Sequence, residues 1–256
     1  MEEYVPRVII EGKWGTGHGE FGIRISEGEL IIPDGITVDD KGNLYIMDIV
    51  NNRIQVFDSS NSFKYKVDVI SFQEEWSKDK RTPLLLNFPE REFEIDNEGY
   101  LNVFNIKSEM VKQFDLKGHL IKTIQLKEYK EKRDKSTSEI IFFKKKNQIV
   151  IKLDNDGKTD KKFTLPEHLS LKNYNYNVHY LDSDMNNNFY FLLEDHILIF
   201  DTKTNFSKEF KMFPMTTQFD EHSICIDKKG NIYQLRIDGD PMDNIAISVI
   251  KWIRRK

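Results

Sequence analysis

PDGITVDDKGNLYIMDIVNNRIQVFD, residues 33–58, contains three short runs in which apolar and polar residues alternate. Alternation with a period of two is the pattern of β-strands. The segments DDKGN and DIVNN separate the runs and supply Asp, Asn and Gly where the chain must reverse, because these residues tolerate left-handed backbone angles or bond to their own backbone. The stretch therefore predicts an antiparallel meander.

Both faces of this small sheet are predicted to be apolar. One face is expected to hold Ile36, Val38, Leu44, Ile46, Ile54 and Val56, and the other Tyr45, Met47 and Phe57. A small sheet that is apolar on both faces cannot bury itself. The pattern therefore predicts further copies of the unit that would cover it.

Four further copies follow along the chain. They span residues 91–115, 139–153, 179–201 and 222–235. The copy at 139–153 keeps the strand alternation but has lost the Asp and Gly of the turn, and in the others Gln113 stands where Val56 does and Gln234 where Ile46 does. The corresponding turn residues are Gly42, Gly99, Asn147, Asn187 and Gly230. Their spacings of 57, 48, 40 and 43 residues are typical of four-stranded propeller blades.

Most copies are followed by a run that could form an outer, fourth strand. These runs lie at 63–70, 119–126 and 206–213, whereas the last copy has none. Because the N-terminal run PRVIIEG lacks partners of its own, we predict that it pairs with the C-terminal strand IAISVIKWI and closes the last blade. The sequence thus predicts an all-β fold, a single β-propeller domain over residues 1–256 with five recognisable blades.

Composition limits the classes of function. The chain has 256 residues, 39% of them hydrophobic, and a formal charge of −4, which gives no net attraction to nucleic acid. The single Cys225 excludes an internal disulfide and is expected to be a buried, inert thiol. No run approaches the ~18 apolar residues of a membrane span. We expect a soluble monomer without membrane insertion, cytoplasmic if Met1 is the native start, or a mature exported domain if a signal was removed.

The first copy resembles the NHL repeat. GKWGTGHGEFG at residues 12–22, followed by PDGITVDDKGNLYIMDIVNNRIQVFD, is similar to that family's Gly-rich lead-in, Pro-x-Gly-Ile, Gly-Asn-x-Tyr and Asn-Arg-Ile-Gln-Val-Phe. The resemblance implies a propeller, usually of six blades, so one blade would be degenerate if this chain follows the family. It also implies that the Gly-rich stretch connects two blades.

Ligands of propellers generally bind at the mouth of the central channel, where the innermost strand of each blade begins. The position aligned with Asp34, five residues before the turn Asp where that Asp is kept, is polar or charged in all five copies. It is occupied by Asp34, Arg91, Glu139, His179 and His222. His179 and His222, with nearby carboxylates, could hold a divalent metal, Zn or Ca, although an ordinary wet channel mouth explains the same residues and no cofactor is predicted.

Two other polar groups have simpler explanations. Asp48, Asn51, Asn52 and Arg53 are expected to cap a turn. The basic run at residues 127–138 is diluted by carboxylates and favours a solvated loop. We therefore predict a non-catalytic module that binds a protein, peptide or small ligand at the channel mouth. The alternatives are a metal-dependent propeller lyase or hydrolase, and an RNA-binding propeller.

Overall fold

The computed structural model describes residues 3–26, 29–69, 93–96, 98–105, 109–129, 139–143, 148–152, 160–164, 178–193, 195–201, 207–213, 223–239 and 246–255. The chain divides into two compact units. The first contains residues 1–126, 215–227 and 231–256, and the second residues 127–214 and 228–230. That residues 1–256 form one domain stays a prediction.

Strands dominate both units. The strands before residue 127 are β1 (Glu3–Trp14), β2 (Glu20–Phe21), β3 (Arg24–Ser26), β4 (Glu29–Ile31), β5 (Ile36–Val38), β6 (Leu44–Asp48), β7 (Arg53–Phe57), β8 (Phe63–Asp68), β9 (Phe93–Ile95), β10 (Leu101–Asn105), β11 (Met110–Phe114) and β12 (Leu120–Gln125). The later strands are β13 (Glu139–Phe143), β14 (Gln148–Lys152), β15 (Asp160–Thr164), β16 (Val178–Ser183), β17 (Asn188–Leu193), β18 (His196–Asp201), β19 (Ser207–Lys211), β20 (Ile224–Ile226), β21 (Ile232–Asp238) and β22 (Ala246–Arg255). A 3₁₀ helix, Ile49–Asn51, joins β6 to β7. No helix among the described residues combines the length and apolar character that crossing a bilayer requires.

The first unit contains three blades. The first blade has the order β5-β6-β7-β8 and the second blade the order β9-β10-β11-β12, both antiparallel throughout. The closing blade has the order β20-β21-β22-β1, with the short β2 added in parallel beside β1. The innermost strands β20, β5 and β9 lie side by side, as successive blades of a propeller require.

The predicted pairing of the two chain ends is confirmed. β1 runs antiparallel to β22, from Glu3 opposite Arg255 to Gly12 opposite Ile247. β22 in turn pairs with β21 along its length. The N-terminal segment therefore supplies the outer strand that the last copy lacks, and β22 is covered on both edges.

The second unit contains a three-stranded sheet, β13-β14-β15, and the fourth blade, β16-β17-β18-β19. The fold class is therefore the predicted one, an all-β propeller arrangement of four-stranded antiparallel sheets. The blade count differs slightly, because the described residues contain four complete blades. The copy at residues 139–153, which has lost its turn Asp and Gly, belongs to the sheet of three described strands, β13, β14 and β15.

The first blade is apolar on both faces, but the predicted face of its third strand was wrong. Ile36, Leu44, Ile46 and Phe57 pack towards the closing blade, together with Tyr233 and Leu235. Tyr45, Met47, Ile54 and Val56 pack towards the second blade, together with Phe93 and Leu101. Four residues separate β6 from β7, so Tyr45 faces Val56 and Leu44 faces Phe57. That register places Ile54 and Val56 on the face opposite to the predicted one.

The turn between the first two strands of a blade repeats with the same backbone. Gly42, Gly99 and Gly230 have φ between +79° and +81°, and Asn187 has φ +60°. In the second unit the turn residue Gly230 also packs tightly, since a Cβ there would lie 2.5 Å from Tyr190 Oη and 3.0 Å from Asp184 Oδ2. A Cβ at Gly99 would meet no atom within 4 Å.

These two glycines form a matched pair for testing the packing of the turn. We expect Gly99→Ala to cost about 1–2 kcal/mol of unfolding free energy, because only the left-handed backbone is strained. Gly230→Ala should cost about 1–3 kcal/mol more, because the added methyl group must also displace Tyr190. Urea unfolding of both variants measures the difference. Equal losses would contradict the close approach of Gly230 to Tyr190.

Candidate channel-mouth site and its buried supports

Asp34 lies where the first blade begins, as the sequence predicts. Its N–H donates to the Met47 carbonyl (3.2 Å), and the Met47 N–H donates to the Gly35 carbonyl (3.0 Å). Gly35 has φ +117°, and a Cβ there would lie 2.9 Å from the Phe93 ring. The glycine therefore lets the next blade approach closely and leaves half-buried Asp34 just ahead of β5.

His179 is placed differently from Asp34. It is the second residue of β16, opposite Leu192, instead of standing before the strand. The reason lies in the next residue, since Tyr180 occupies the place of Gly35 and continues the ladder opposite Phe191. A tyrosine does not readily adopt the positive φ of Gly35, so the strand extends back to Val178. His179 is half-buried.

Sequence reasoning missed Tyr180 as a candidate. It lies on the innermost strand of the fourth blade, yet 37% of it is exposed. Its ring packs against Phe191, with the ring centres 5.5 Å apart. The available signal was an aromatic residue at the position that corresponds to Gly35 of the first copy.

The remaining members of the predicted ring are only partly placed. Glu139 is the first residue of β13, opposite Lys152. Arg91 and His222 lie outside the described residues. Within the described ranges, no group of three or more His, Cys, Asp or Glu side chains could hold a metal ion. Convergence of the five side chains, and metal binding by His179 and His222, remain predictions.

The turn carboxylate of each complete blade among the described residues bonds to the turn itself, and Asp39 and Asp184 are buried. In the first blade, Asp39 Oδ1 accepts the N–H groups of Lys41 and Asn43 at 2.9 and 2.8 Å. Its Oδ2 accepts Asn43 Nδ2 (2.6 Å) and the Tyr45 hydroxyl (3.3 Å). The same Asp–Asn–Tyr triad recurs as Asp184, Asn188 and Tyr190, and as Asp227, Asn231 and Tyr233. The hydrogen bonds that these repeated carboxylates accept therefore stabilise the scaffold.

The second blade satisfies its turn carboxylate with different residues. Asn102 replaces the tyrosine and donates to Asp96 Oδ2 at 2.9 Å. Gln113, directly opposite Asn102, donates to the same oxygen at 3.2 Å and to Asn102 Oδ1 at 2.9 Å. Gln113 therefore fills the space that the shorter Asn102 leaves and supplies a second donor. This exchange explains why the second copy has Gln113 where the first copy has Val56.

Two of the turn tyrosines, Tyr45 and Tyr233, have raised pKa values and stay neutral. Burial is the main cause that raises the pKa of Tyr45 far above its ordinary value, and the Tyr65 hydroxyl and the Asp39 carboxylate raise it further. Burial likewise raises the pKa of Tyr233, followed by the charge of Asp227. A phenol held neutral donates a hydrogen bond but does not act as a base near neutral pH.

A second group of buried polar residues anchors the Gly-rich connector, residues 15–22. Arg53 donates to the carbonyls of Thr16 (2.7 Å), Gly17 (2.9 Å) and Glu20 (2.6 Å). Asp48 Oδ1 accepts the N–H of Gly22 at 2.9 Å. Asp48 and Arg53 also form an ion pair of 2.8 Å, with side-chain exposures of 0% and 5%. The connector is therefore held against the first blade by a buried ion pair.

Two further side chains complete this anchor. Gln55 accepts the Gly19 N–H at 2.9 Å and donates to the Glu20 carbonyl at 2.5 Å. Asn51 donates to the Gly15 carbonyl at 2.9 Å. The predicted turn capping is confirmed for Asn52, whose N–H donates to the Ile49 carbonyl at φ 51°. It was wrong for Asp48, which makes no side-chain cap, and for Arg53, because both bond to the distant connector.

No family model matches this chain, and no curated protein matches it. Solved structures similar to it include a streptogramin B lyase, with 13% identity over 87% of this chain and 65% of that chain and a TM-score of 0.28. The virginiamycin B lyase of Staphylococcus aureus has 14% identity over 96% and 74% of the two chains, with a TM-score of 0.28. A protein of Bacteroides fragilis has 10% identity over 96% and 81%, with a TM-score of 0.34. At these TM-scores the resemblance carries no argument about activity.

Proposed function

We propose that this protein is a non-catalytic, NHL-type binding propeller that recognises a protein, a peptide or a small ligand at its channel mouth. The observation that supports this most is the use of the buried carboxylates. Asp39, Asp48 and Asp184 each accept several hydrogen bonds from their own blade or from the connector. A carboxylate saturated by such donors is a scaffold element and a poor general base.

We expect the variable positions to lie elsewhere, near the start of the innermost strands. The Asp–Asn–Tyr triad recurs in three of the described blades, whereas the residue aligned with Asp34 differs in almost every copy. It is Asp34, Arg91, Glu139, His179 or His222. A repeated scaffold that carries varied polar residues at one aligned position is typical of a recognition surface, because function resides in sites placed on a fold.

A ligand screen by thermal shift tests this proposal. At a free concentration of about 100 times Kd, a ligand should stabilise the protein by about 2.7 kcal/mol. We expect Asp34→Ala or His179→Ala to weaken the binding of such a ligand about tenfold or more. Lys66→Ala on the outer strand β8 is the control and should bind the ligand like the parent. Ligands that bind all four proteins equally would contradict a site at the channel mouth.

Elemental analysis of the purified protein tests the metal-dependent alternative. The binding-module proposal predicts no stoichiometric zinc or calcium. One equivalent of either metal, lost in a His179→Ala, His222→Ala double variant, would overturn the purely non-catalytic proposal and favour the lyase or hydrolase.

A further inference from the structure

The outer strands of the first and second blades share a β-bulge at equivalent positions. In the first blade the ladder passes from Val56 opposite Tyr65 to Phe57 opposite Phe63, so Lys64 is the extra residue. In the second blade it passes from Gln113 opposite Lys122 to Phe114 opposite Leu120, so Ile121 is the extra residue. Phe63 and Leu120 therefore correspond, as do Lys64 and Ile121.

The corresponding residues differ sharply in how they are covered. His18 of the connector stacks on Phe63, with ring centres 4.6 Å apart and planes 11° apart. Lys64 is an exposed, charged residue of the edge strand β8. Leu120 and Ile121 are 55% and 51% exposed. Among the described residues, β12 pairs with β11 alone. The second blade thus presents two adjacent apolar side chains on an edge that can still form backbone hydrogen bonds.

The charges beside this edge select the kind of partner. Lys117, His119 and Lys122 are all exposed around Leu120 and Ile121. The nearby Asp115 is already bonded to the N–H groups of Lys117 and His119 and to the His119 ring. A second copy pairing its own β12 in antiparallel would add its Lys117 and Lys122 to an edge that already carries both, and charge repulsion disfavours this. A strand that carries carboxylates would instead be attracted.

We propose that the outer edge of β12 binds an extended, acidic segment of another protein by strand addition. Apolar residues of the segment contact Leu120 and Ile121, and its carboxylates lie beside Lys117 and Lys122. Backbone hydrogen bonds to β12 supply affinity, and the alternating side chains supply selectivity. In the sheet order, β12 lies at the opposite side of the blade from the innermost strand β9, so this surface is separate from the channel mouth.

The probe is an acetylated and amidated eight-residue peptide of alternating Glu and Val, titrated into the isotope-labelled full chain. We expect backbone amide signals of β12 to shift in NMR spectra and binding to weaken as salt is raised. The matched peptide of alternating Lys and Val should bind at least tenfold more weakly. A Leu120→Thr, Ile121→Thr double variant should also lose about tenfold in affinity, because exposed threonines keep the strand but remove the apolar contact.

Lys66→Thr on β8 is the control variant and should bind the Glu–Val peptide like the parent. The proposal is overturned if the β12 signals do not shift at a peptide concentration on the order of 1 mM. It is also overturned if the Lys–Val peptide or the double variant binds equally well. Sedimentation showing a dimer that the double variant dissociates, without peptide binding, would assign the edge to a second copy and overturn it as well.

Discussion

Replacing Arg53 with methionine is expected to lower the free energy of unfolding by about 3–5 kcal/mol, because removing one partner of a buried ion pair leaves the other charge uncompensated. Asp48 would then keep a fully buried carboxylate without its guanidinium. The carbonyls of Thr16 and Gly17 would lose their side-chain donor at the same time, and the Glu20 carbonyl would keep only Gln55. Urea unfolding of the variant and the parent measures this loss.

The exposed ion pair between Lys66 and Asp68 is the matched control. Its two atoms lie 2.7 Å apart, close to the separation in the buried pair, but the side chains are 43% and 55% exposed. Lys66→Met should therefore cost no more than about 1 kcal/mol. If Arg53→Met were as mild as Lys66→Met, the connector would not depend on the ion pair.

A double variant separates the effect of the uncompensated Asp48 charge from the effect of the lost hydrogen bonds to the connector. Asp48→Asn added to Arg53→Met removes the uncompensated charge but restores no donor to the connector carbonyls. We expect it to recover part of the lost stability, so the two substitutions should be coupled by about 0.5–3 kcal/mol. Additive losses would instead indicate that the two side chains act independently.

Deleting residues 1–14 is expected to abolish the cooperative unfolding transition. The deletion removes β1, and with it the partner of β22 along nine paired positions from Glu3 to Gly12. It also removes Ile10, which is 7% exposed in the core between the closing and first blades. Near-ultraviolet circular dichroism and thermal unfolding of the shortened chain measure the result. A shortened chain with the unfolding temperature of the parent would contradict closure by β1.

Complementation in trans makes this test specific to the strand. A synthetic peptide of residues 3–14 should restore the near-ultraviolet signal of the shortened chain by strand addition. Ile10→Asp in the peptide should prevent restoration, because it buries a charge in the core. Val8→Asp should permit restoration, since Val8 is 48% exposed. Equal restoration by the two altered peptides would show that β1 does not occupy its described register.

Repeated local patterns made most of the fold predictable. The turn glycines and Asn187 adopt the left-handed backbone that their spacing indicates. The unpaired apolar run at the N-terminus predicted the partner of β22, because the other complete blades among the described residues have outer strands of their own. Local sequence is informative in these cases since each feature lies within one blade or follows from a missing member of a repeat.

The predictions that were wrong concern residues whose main contact is distant in the sequence, or whose orientation changes when a loop is one residue longer or shorter. The face of Ile54 and Val56 depends on the register set by the turn after β6, and a register change by one residue reverses the face. Arg53 bonds to carbonyls 33–37 residues away, which no local pattern in the sequence indicates. Of the candidate site residues, Asp34 lies before its strand, as predicted. His179 lies inside β16, because Tyr180 stands at the glycine position and the strand begins at Val178.

The exchange of a tyrosine–valine pair for Asn102 and Gln113 constrains how such repeats can diverge. Tyr45 and Val56 face each other in the first blade, as Asn102 and Gln113 do in the second. A lone change of tyrosine to asparagine would leave a void, and a lone change of valine to glutamine would force a longer side chain against the tyrosine ring. Each substitution is therefore tolerated best when the other is present, so the two positions of this cross-strand pair are epistatic.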